Sequence, residues 1–273
     1  MKKTILTLCA AILCCASAYA QQDTETRAEA KTQQAANAGS SDFAPRGFWS
    51  NWEIGLGFGS QFYLGENDWY APFGQWLTFP ALDLTVTKWF TPSFGAGLRL
   101  NGFKMNGLYH ASGGASGGVA QNYDQMVADH ALPYFATDKE VTTVKGKTYN
   151  KQEGYFFNPY LFAILNLHGL VDGYKPSRMY ELSLYGGIGM MAGYYDPAQS
   201  AIYANHPEYN GRSYAVSGHF GILNTFRIAK NLKLFVLGHG AIVGEAFDNE
   251  KTPEVPFDGL FGLSAGLTYQ FGK

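Results

Sequence analysis

Apolar and polar residues alternate with a period of two near the end of the chain. In the segment FDGLFGLSAGLTYQF, Phe257–Phe271, six apolar or aromatic residues from Phe261 to Phe271 alternate with small or polar ones. This period predicts an extended strand with two different faces. Lipid can cover the apolar face, but inside a bilayer the backbone groups are satisfied only if the sheet closes on itself. We therefore predict that Gly259–Phe271 is the closing strand of a transmembrane β-barrel.

Seven earlier segments show the same alternation and are predicted to be strands. They are Trp52–Tyr63, Ala81–Trp89, Phe94–Phe103, Tyr155–Leu167, Met179–Tyr194, Ser213–Arg227 and Leu232–Val243. With the closing strand the total is eight, and bacterial barrels have an even number of strands. The predicted fold is therefore all-β, an eight-stranded antiparallel up-and-down transmembrane β-barrel.

The predicted connections fall into two groups by length. Those after the second, fourth and sixth strands are mostly short: Phe90–Ser93, His168–Arg178 and Ile228–Asn231. Those after the first, third, fifth and seventh strands are longer: Leu64–Pro80, Lys104–Gly154, Tyr195–Arg212 and Gly244–Asp258. Bacterial barrels have short periplasmic turns and longer extracellular loops. We therefore expect both chain termini on the periplasmic side.

The first residues have the composition of a secretory signal peptide. Two lysines precede the apolar run Ile5–Ala16, and Ala18–Ala20 provides a small-x-small cleavage site. The following segment is polar and nearly free of large apolar groups, which predicts a flexible periplasmic leader. The predicted organisation is a signal peptide at 1–20, the leader at 21–47 and an outer-membrane barrel at 48–273.

All three cysteines, Cys9, Cys14 and Cys15, lie within the predicted signal peptide. A lipoprotein is an alternative, but the residues before each cysteine lack the small pair that normally precedes a lipid-acceptor cysteine. Cleavage after Ala20 leaves a mature chain without a thiol, which excludes a disulfide framework and a cysteine metal site. We expect no cofactor and no metal.

Composition narrows the class of protein further. Aromatic residues make up 16% of the chain and charged residues only 15%, below the roughly one quarter of typical soluble domains. The formal net charge of −2 argues against nucleic acid as a partner, which would need a basic face. After the signal peptide no uninterrupted apolar run approaches the ~18 residues of a helical span. These features favour a monomeric barrel surrounded by the lipid of a Gram-negative outer membrane.

Four short motifs resemble a known group of proteins. They are KWFTP at Lys88–Pro92, GILNTFRIAKNLKL at Gly221–Leu234, EAFDNE at Glu245–Glu250 and the GLTYQF ending. They are similar to porin-family outer-membrane barrels of Bacteroidetes, including the membrane domain of OmpA-like proteins, over residues 49–273. The resemblance implies a barrel framework and no catalytic signature. OmpA-like proteins add a peptidoglycan-binding domain after the barrel, whereas this sequence stops two residues after Phe271, so that tethering role is not expected.

Six charged residues are predicted to face the barrel interior. They are Glu53, Asp83, Arg99, Glu181, Arg227 and Lys233. An eight-stranded barrel is only wide enough for its side chains to fill, and buried charges persist when they are paired and hydrogen-bonded. We predict that these three acids and three bases form ion pairs that plug the lumen. A narrow or gated conductance through this network is the alternative.

Two histidines form a second candidate site. His219 and His239 face inward on neighbouring strands, and pairing Arg227 with Asn231 would place them directly opposite each other. Facing residues of an antiparallel pair are close enough to share a metal ion or a proton. A metal site would need a third ligand, so polar filling of the lumen is the other interpretation.

Two glycine-containing motifs mimic enzyme signatures. Gly262–Gly266 matches GxSxG, but a nucleophile elbow requires a sharp turn from a strand into a helix, and here the motif lies within a predicted strand. Gly187–Ala192 loosely mimics a dinucleotide loop, but no helix follows it. Small inward-facing residues of a narrow barrel account for the second motif. We expect that the protein is not an enzyme.

The long connection Lys104–Gly154 is the most individual feature of the sequence. It begins with a Gly- and Ser-rich stretch and continues with Tyr, Asp and Lys residues. Long loops in compact domains are often functional, so this one is a candidate for binding an extracellular ligand. The leading functional hypothesis is an outer-membrane barrel with a structural or surface-interaction role. The alternatives are a narrow porin for ions or small solutes and a lipid-modifying enzyme.

Overall fold

Each of the eight predicted strands lies within one antiparallel sheet. The computed structural model describes residues 48–65, 67–70, 77–110, 133–144, 147–173, 175, 177–203, 209–244, 246–249 and 257–271. Its strands are β1 (Trp52–Leu64), β2 (Thr78–Trp89), β3 (Phe94–His110), β4 (Ala136–Val144), β5 (Lys147–Asn166), β6 (Tyr180–Tyr194), β7 (Arg212–Arg227), β8 (Leu232–Gly244) and β9 (Phe257–Phe271). The predicted signal peptide and leader lie outside the described residues.

Antiparallel pairing closes eight of these strands into a ring. The sheet order is β3-β2-β1-β9-β8-β7-β6-β5-β4, and β3 also pairs with β5. The β3–β5 pairing runs from Phe94↔Leu165 to His110↔Tyr149, and the β1–β9 pairing joins the first and last strands. The fold is therefore the predicted up-and-down barrel. In the part of the chain that the structure describes, no helix has the length and hydropathy needed to cross a bilayer.

The two faces of the ring differ in the way that the sequence predicts. On β5, outward-facing Leu161 is 65% exposed, whereas the inward-facing neighbour Asn158 is completely buried. The same contrast recurs around the ring, for example between outward Ile188 and inward Ser217. The exterior is therefore a belt of exposed aliphatic and aromatic side chains, and the polar side chains are collected inside.

Two of the three connections at one end of the barrel, 90–93 and 228–231, are shorter than any connection between ring strands at the other end. One end, called here the short-turn end, carries the connections 90–93, 167–179 and 228–231. The second of these contains the short helix α1 (Leu167–Asp172), which begins where the side chain of Asn166 accepts a hydrogen bond from Gly169 N at 3.0 Å. The opposite end, the long-loop end, carries the remaining connections, of which 65–77 and 245–256 are no longer than 167–179. This difference defines two chemically distinct ends.

The prediction of a long loop at 104–154 is wrong for much of its described part, which forms strands. β3 continues to His110, β5 begins at Lys147, and between them β4 pairs with β5 outside the ring. These segments form a three-stranded extension at the long-loop end. In the extension the inner face is apolar and the outer face is polar, the reverse of the ring. Met105 and Phe156 are buried on the inner side, whereas Lys104 is exposed on the outer side. A search for apolar outward residues therefore misses this region.

One edge of β4 is protected by a connection rather than by another strand. The carboxylate of Asp138 accepts hydrogen bonds from Ser200 Oγ at 2.8 Å and from Ala201 N at 3.0 Å. The hydroxyl of Tyr203 accepts a third bond from Ala136 N at 3.0 Å. Unpaired strand edges promote aggregation, and these contacts cover part of that edge.

Large inward rings are accommodated by glycines on the neighbouring strand. Gly187 lies opposite Phe162, and Gly189 lies opposite Tyr160, across β5 and β6. A Cβ atom on Gly187 would lie 2.4 Å from Leu161 O and 3.0 Å from Phe162 Cβ. The predicted interpretation of Gly187–Ala192 as small residues of a narrow barrel is confirmed at these two positions.

We predict that Gly187→Ala lowers the free energy of unfolding by about 1–3 kcal/mol, because the added methyl group overpacks a fixed backbone. The matched control is Gly218→Ala, where a Cβ atom meets nothing within 4 Å. Urea titration of the refolded protein, followed by tryptophan fluorescence, measures both. Equal stability of the two variants would contradict the close packing described here.

Candidate functional site

The middle of the lumen is closed by an ion pair between β2 and β3. Arg99 Nε lies 3.3 Å from Asp83 Oδ1, and both side chains are almost completely buried. The guanidinium carbon lies 5.0 Å from the ring centroid of Tyr185 and 5.3 Å from that of Phe162. A cation between two aromatic faces gains electrostatic stabilisation that partly offsets its desolvation. This pair therefore fills the central layer.

A second group of charges lies nearer the short-turn end. Lys233 Nζ donates to Glu53 Oε1 at 2.6 Å and lies 3.5 Å from Glu181 Oε2. One lysine therefore bridges two carboxylates from opposite sides of the barrel. Arg227 lies opposite Lys233 across β7 and β8, and it forms no ion pair with another described residue. Five of the six predicted inward charges thus form ion pairs, in two separate groups, and Arg227 stands outside both.

His219 belongs to a chain of hydrogen bonds in the lumen. Its Nε2 lies 2.9 Å from Ser217 Oγ, and Ser217 donates to Asn158 Oδ1 at 3.0 Å. Since the hydroxyl proton goes to Asn158, Nε2 of His219 must be the donor to Ser217, and it does not act as a base toward this serine. The imidazole also stacks on Tyr160 with a centroid distance of 3.8 Å.

The predicted direct pairing of His219 with His239 is wrong. Arg227 pairs with Lys233 rather than Asn231, so His219 lies opposite Ala241 and His239 lies opposite Gly221. The two histidines are inward-facing diagonal neighbours, a relation that separates residues by about 7–8 Å. Within the described residues, no group of three or more His, Cys, Asp or Glu side chains is arranged to hold a metal ion.

Aromatic side chains close the lumen at the long-loop end. Phe135, just before β4, and Phe247, just after β8, are completely buried, with ring centroids 5.1 Å apart. We call them, together with the surrounding tyrosines, the aromatic cap; its members are Tyr134, Phe135, Tyr195, Tyr203, Tyr209 and Phe247. The cap packs on inward residues of the ring, including Met105 and Phe156.

Backbone hydrogen bonds hold the cap in place. Tyr134 N donates to Asp248 O at 2.5 Å, which joins the two connections that cross the opening. Glu153 N donates to Phe135 O at 2.8 Å, and Phe247 N donates to Gly244 O at 3.0 Å. The hydroxyl of Tyr203 donates to Pro133 O at 2.6 Å. Burial raises the pKa of Tyr203, so this hydroxyl keeps its proton and remains a donor.

Little free space remains between the two ends. A cavity of about 20 Å³ lies beside the group of charges nearer the short-turn end. The residues that line it include Glu53, Thr85, Arg99, Glu181 and Lys233. That volume holds about one water molecule. The buried side chains around this cavity occupy the described middle of the lumen.

Ser264 of the GxSxG motif lies inside the continuous strand β9. Its hydroxyl faces the lumen and lies 3.4 Å from Asp83 Oδ2. A nucleophile elbow requires a strand-to-helix turn, which this position does not have. The contacts of Ser264 are those of a polar group that helps to solvate the buried carboxylate.

The alternation of the sequence predicts the inward charges but not the aromatic cap. Phe135 and Phe247 fall within predicted long connections, where no alternation of apolar and polar residues marks an inward position. Their positions in PYF and EAF, just before or after a strand, are the one local feature that marks them. Only the pairing of distant strands brings them together.

Comparison with known proteins finds similarity only at the level of solved structures. No protein-family model and no curated protein sequence match the chain. Similar structures include neisserial surface protein A (8% identity, 81% of this chain and 97% of that chain, TM-score 0.43). They also include OprG from Pseudomonas aeruginosa (13%, 83% and 99%, 0.38) and Ail of Yersinia pestis in complex with the heparin analogue sucrose octasulfate (11%, 81% and 99%, 0.34). The neighbours are outer-membrane proteins, but at these scores the barrel assignment depends on this chain's own strand pairings.

We predict that Lys233→Met lowers the free energy of unfolding by about 3–5 kcal/mol, because it leaves Glu53 and Glu181 buried without a counter-charge. The surface control Lys139→Met, whose side chain is 66% exposed, should change it by less than about 1 kcal/mol. Urea titrations of both refolded variants test the difference. A similarly small change in the free energy of unfolding for both variants would show that Glu53 and Glu181 remain well hydrated.

Proposed function

We propose that this protein is an integral outer-membrane β-barrel with a closed lumen and a structural or surface-interaction role. The observation that carries the proposal is a closed ring that exposes apolar side chains on its outside while its interior is filled. Lipid is the solvent that favours such an exterior, and closure satisfies the backbone groups. The proposed protein is a monomer without a cofactor, a nucleic acid partner or catalytic activity.

The height of the apolar belt supports a membrane location. On β5 the outward residues from Leu165 to Tyr155 are apolar or aromatic, and the charged residues Glu153 and Lys151 follow on the same face. At about 3.3 Å per residue and a tilt of about 45°, this belt is roughly 24 Å high. That value matches the ~25 Å apolar band of outer-membrane barrels.

The difference between the two ends supports the proposed orientation. The short-turn end, where β1 begins and β9 finishes, would lie in the periplasm, and the three-stranded extension would lie on the cell surface. The Gly- and Ser-rich part of the proposed ligand-binding loop lies outside the described residues. The predicted relationship to Bacteroidetes porin-family and OmpA-like proteins fits this arrangement and remains a prediction.

Cysteine labelling tests both location and orientation, because the sequence contains no cysteine after Cys15. We expect Lys139→Cys, on the extension, to react in intact cells with a maleimide that does not cross the outer membrane. Lys230→Cys, in the turn between β7 and β8, should react only after the cells are broken. The reverse pattern would overturn the orientation, and recovery of the protein outside the outer-membrane fraction would overturn the location.

Conductance in planar bilayers tests the closed lumen against the narrow-porin alternative. We expect the wild type to be silent, and Asp83→Ala/Arg99→Ala to remain silent because the aromatic cap still closes the barrel. Adding Phe135→Ala and Phe247→Ala to this pair should produce discrete openings. The surface variant Lys139→Ala is the control. Stable openings in the wild type would support a porin and make the inward charges selectivity elements.

A further inference from the structure

A cluster of lysines lies on the outer face of the three-stranded extension. Lys139 Nζ and Lys151 Nζ both lie 3.1 Å from the same oxygen, Glu153 Oε2, so the two ammonium groups are within about 6 Å of each other. Lys104 is exposed on β3, where it lies opposite Tyr155 and beside the position of Glu153. The extension therefore brings together lysines that are up to 47 positions apart in the sequence.

This cluster carries a net positive charge. Glu153 is the acid in contact with the lysines, and it neutralises one of the three positive charges. Glu140, the other glutamate of β4 and β5, pairs across the strands with Asn150, whose side chain points to the inner face toward Tyr109. Partial burial tends to raise the pKa of Glu153, but hydrogen bonds from Lys151 and Lys139 lower it below its usual value. Asp138, the remaining acid of β4 and β5, accepts hydrogen bonds from Ser200 Oγ and Ala201 N. The three lysines and Glu153 therefore sum to a formal charge of +2.

Glu153 gives the cluster a defined geometry. A carboxylate that accepts bonds from two lysines holds both chains near one point, which reduces the entropy that a ligand must remove on binding. Lysine ammonium groups bind phosphate as compact charges. Two of them meet at Glu153, and the third lies on the adjacent strand β3, so together they can contact several oxygens. An anion is the ligand that this arrangement favours.

The position of the cluster selects a lipid headgroup over other anions. Tyr155 is exposed at the upper limit of the apolar belt, and its ring lies 5.5 Å from that of Phe103. Glu153 lies two residues before Tyr155 on the same face, which places it roughly 5 Å above Tyr155 on a strand tilted by about 45°. Headgroup regions extend about 5–8 Å beyond the hydrocarbon core on each side. The lysines therefore lie at headgroup height, next to the aromatic pair that would contact acyl chains.

We propose that Lys104, Lys139 and Lys151 form a binding site for the phosphate groups of outer-leaflet glycolipids. This site depends on the outer-membrane location and orientation proposed above. It would fix the rotation and depth of the barrel in the outer leaflet and would order the lipid around the extension.

The test compares two variants with the same net charge. Lys104→Gln/Lys139→Gln removes two lysines from the cluster and leaves the Lys151–Glu153 pair intact. Lys175→Gln/Lys230→Gln removes two exposed lysines from the short-turn end. The full chain, refolded in non-ionic detergent micelles, is titrated with diphosphorylated lipid A, dephosphorylated lipid A and soluble inositol hexakisphosphate. Heat-dependent migration on gels verifies that each variant is folded.

We expect the cluster variant to bind diphosphorylated lipid A about tenfold more weakly than the wild type, and the control variant to bind as the wild type does. The difference should shrink at high salt and vanish with dephosphorylated lipid. Equal binding by both variants would overturn the site. Equally tight binding of inositol hexakisphosphate by the wild type would also overturn it, in favour of a soluble anion. Because the titration uses micelles, its outcome is independent of the labelling experiment that tests location and orientation.

Discussion

The requirement that every backbone hydrogen bond be satisfied within the ring determines most of this structure. Pairing of β3 with β5 and of β1 with β9 removes the open edges that a sheet in lipid cannot have. A ring of eight strands is narrow, so its interior must be filled by side chains. Gly187 and Gly189 lie opposite large rings because the circumference leaves no space for two bulky residues at one level. Closure of the ring thus makes the barrel narrow, and the narrow barrel requires a small residue opposite each large one.

The same narrowness explains why the inward charges are paired. A carboxylate such as Asp83 cannot remain ionised in a dry interior without a partner. Arg99 provides the opposite charge, and the hydroxyl of Ser264 donates to Asp83 Oδ2. The aromatic cap closes the other end by a different principle, since Phe135 and Phe247 exclude water through apolar packing. The described lumen therefore has two closures in series that do not depend on each other. Each can be tested by substitution without removing the other.

Above the apolar belt the sheet continues, but its two faces exchange character. Met105 and Phe156 point inward and pack beneath the cap, whereas Lys104 and Lys151 point outward. Strands in water bury their apolar side chains, and strands in lipid expose them. The exchange of apolar and polar faces along β3 and β5 therefore marks the level at which the solvent would change from lipid to water. The proposed phosphate site lies at this level, where, in the proposed orientation, positive charge would meet the headgroups of the outer leaflet.

The alternation of residues by itself determined the fold class, the eight ring strands and the inward position of the charged residues, because a period of two depends on local geometry alone. The tertiary structure decided the rest. A register shift of two residues between β7 and β8 separated His219 from His239, and turn geometry, not periodicity, sets such a shift. The strand β4, the pairing of Phe135 with Phe247 and the lysines around Glu153 required contacts between distant segments, for which local sequence contains no signal.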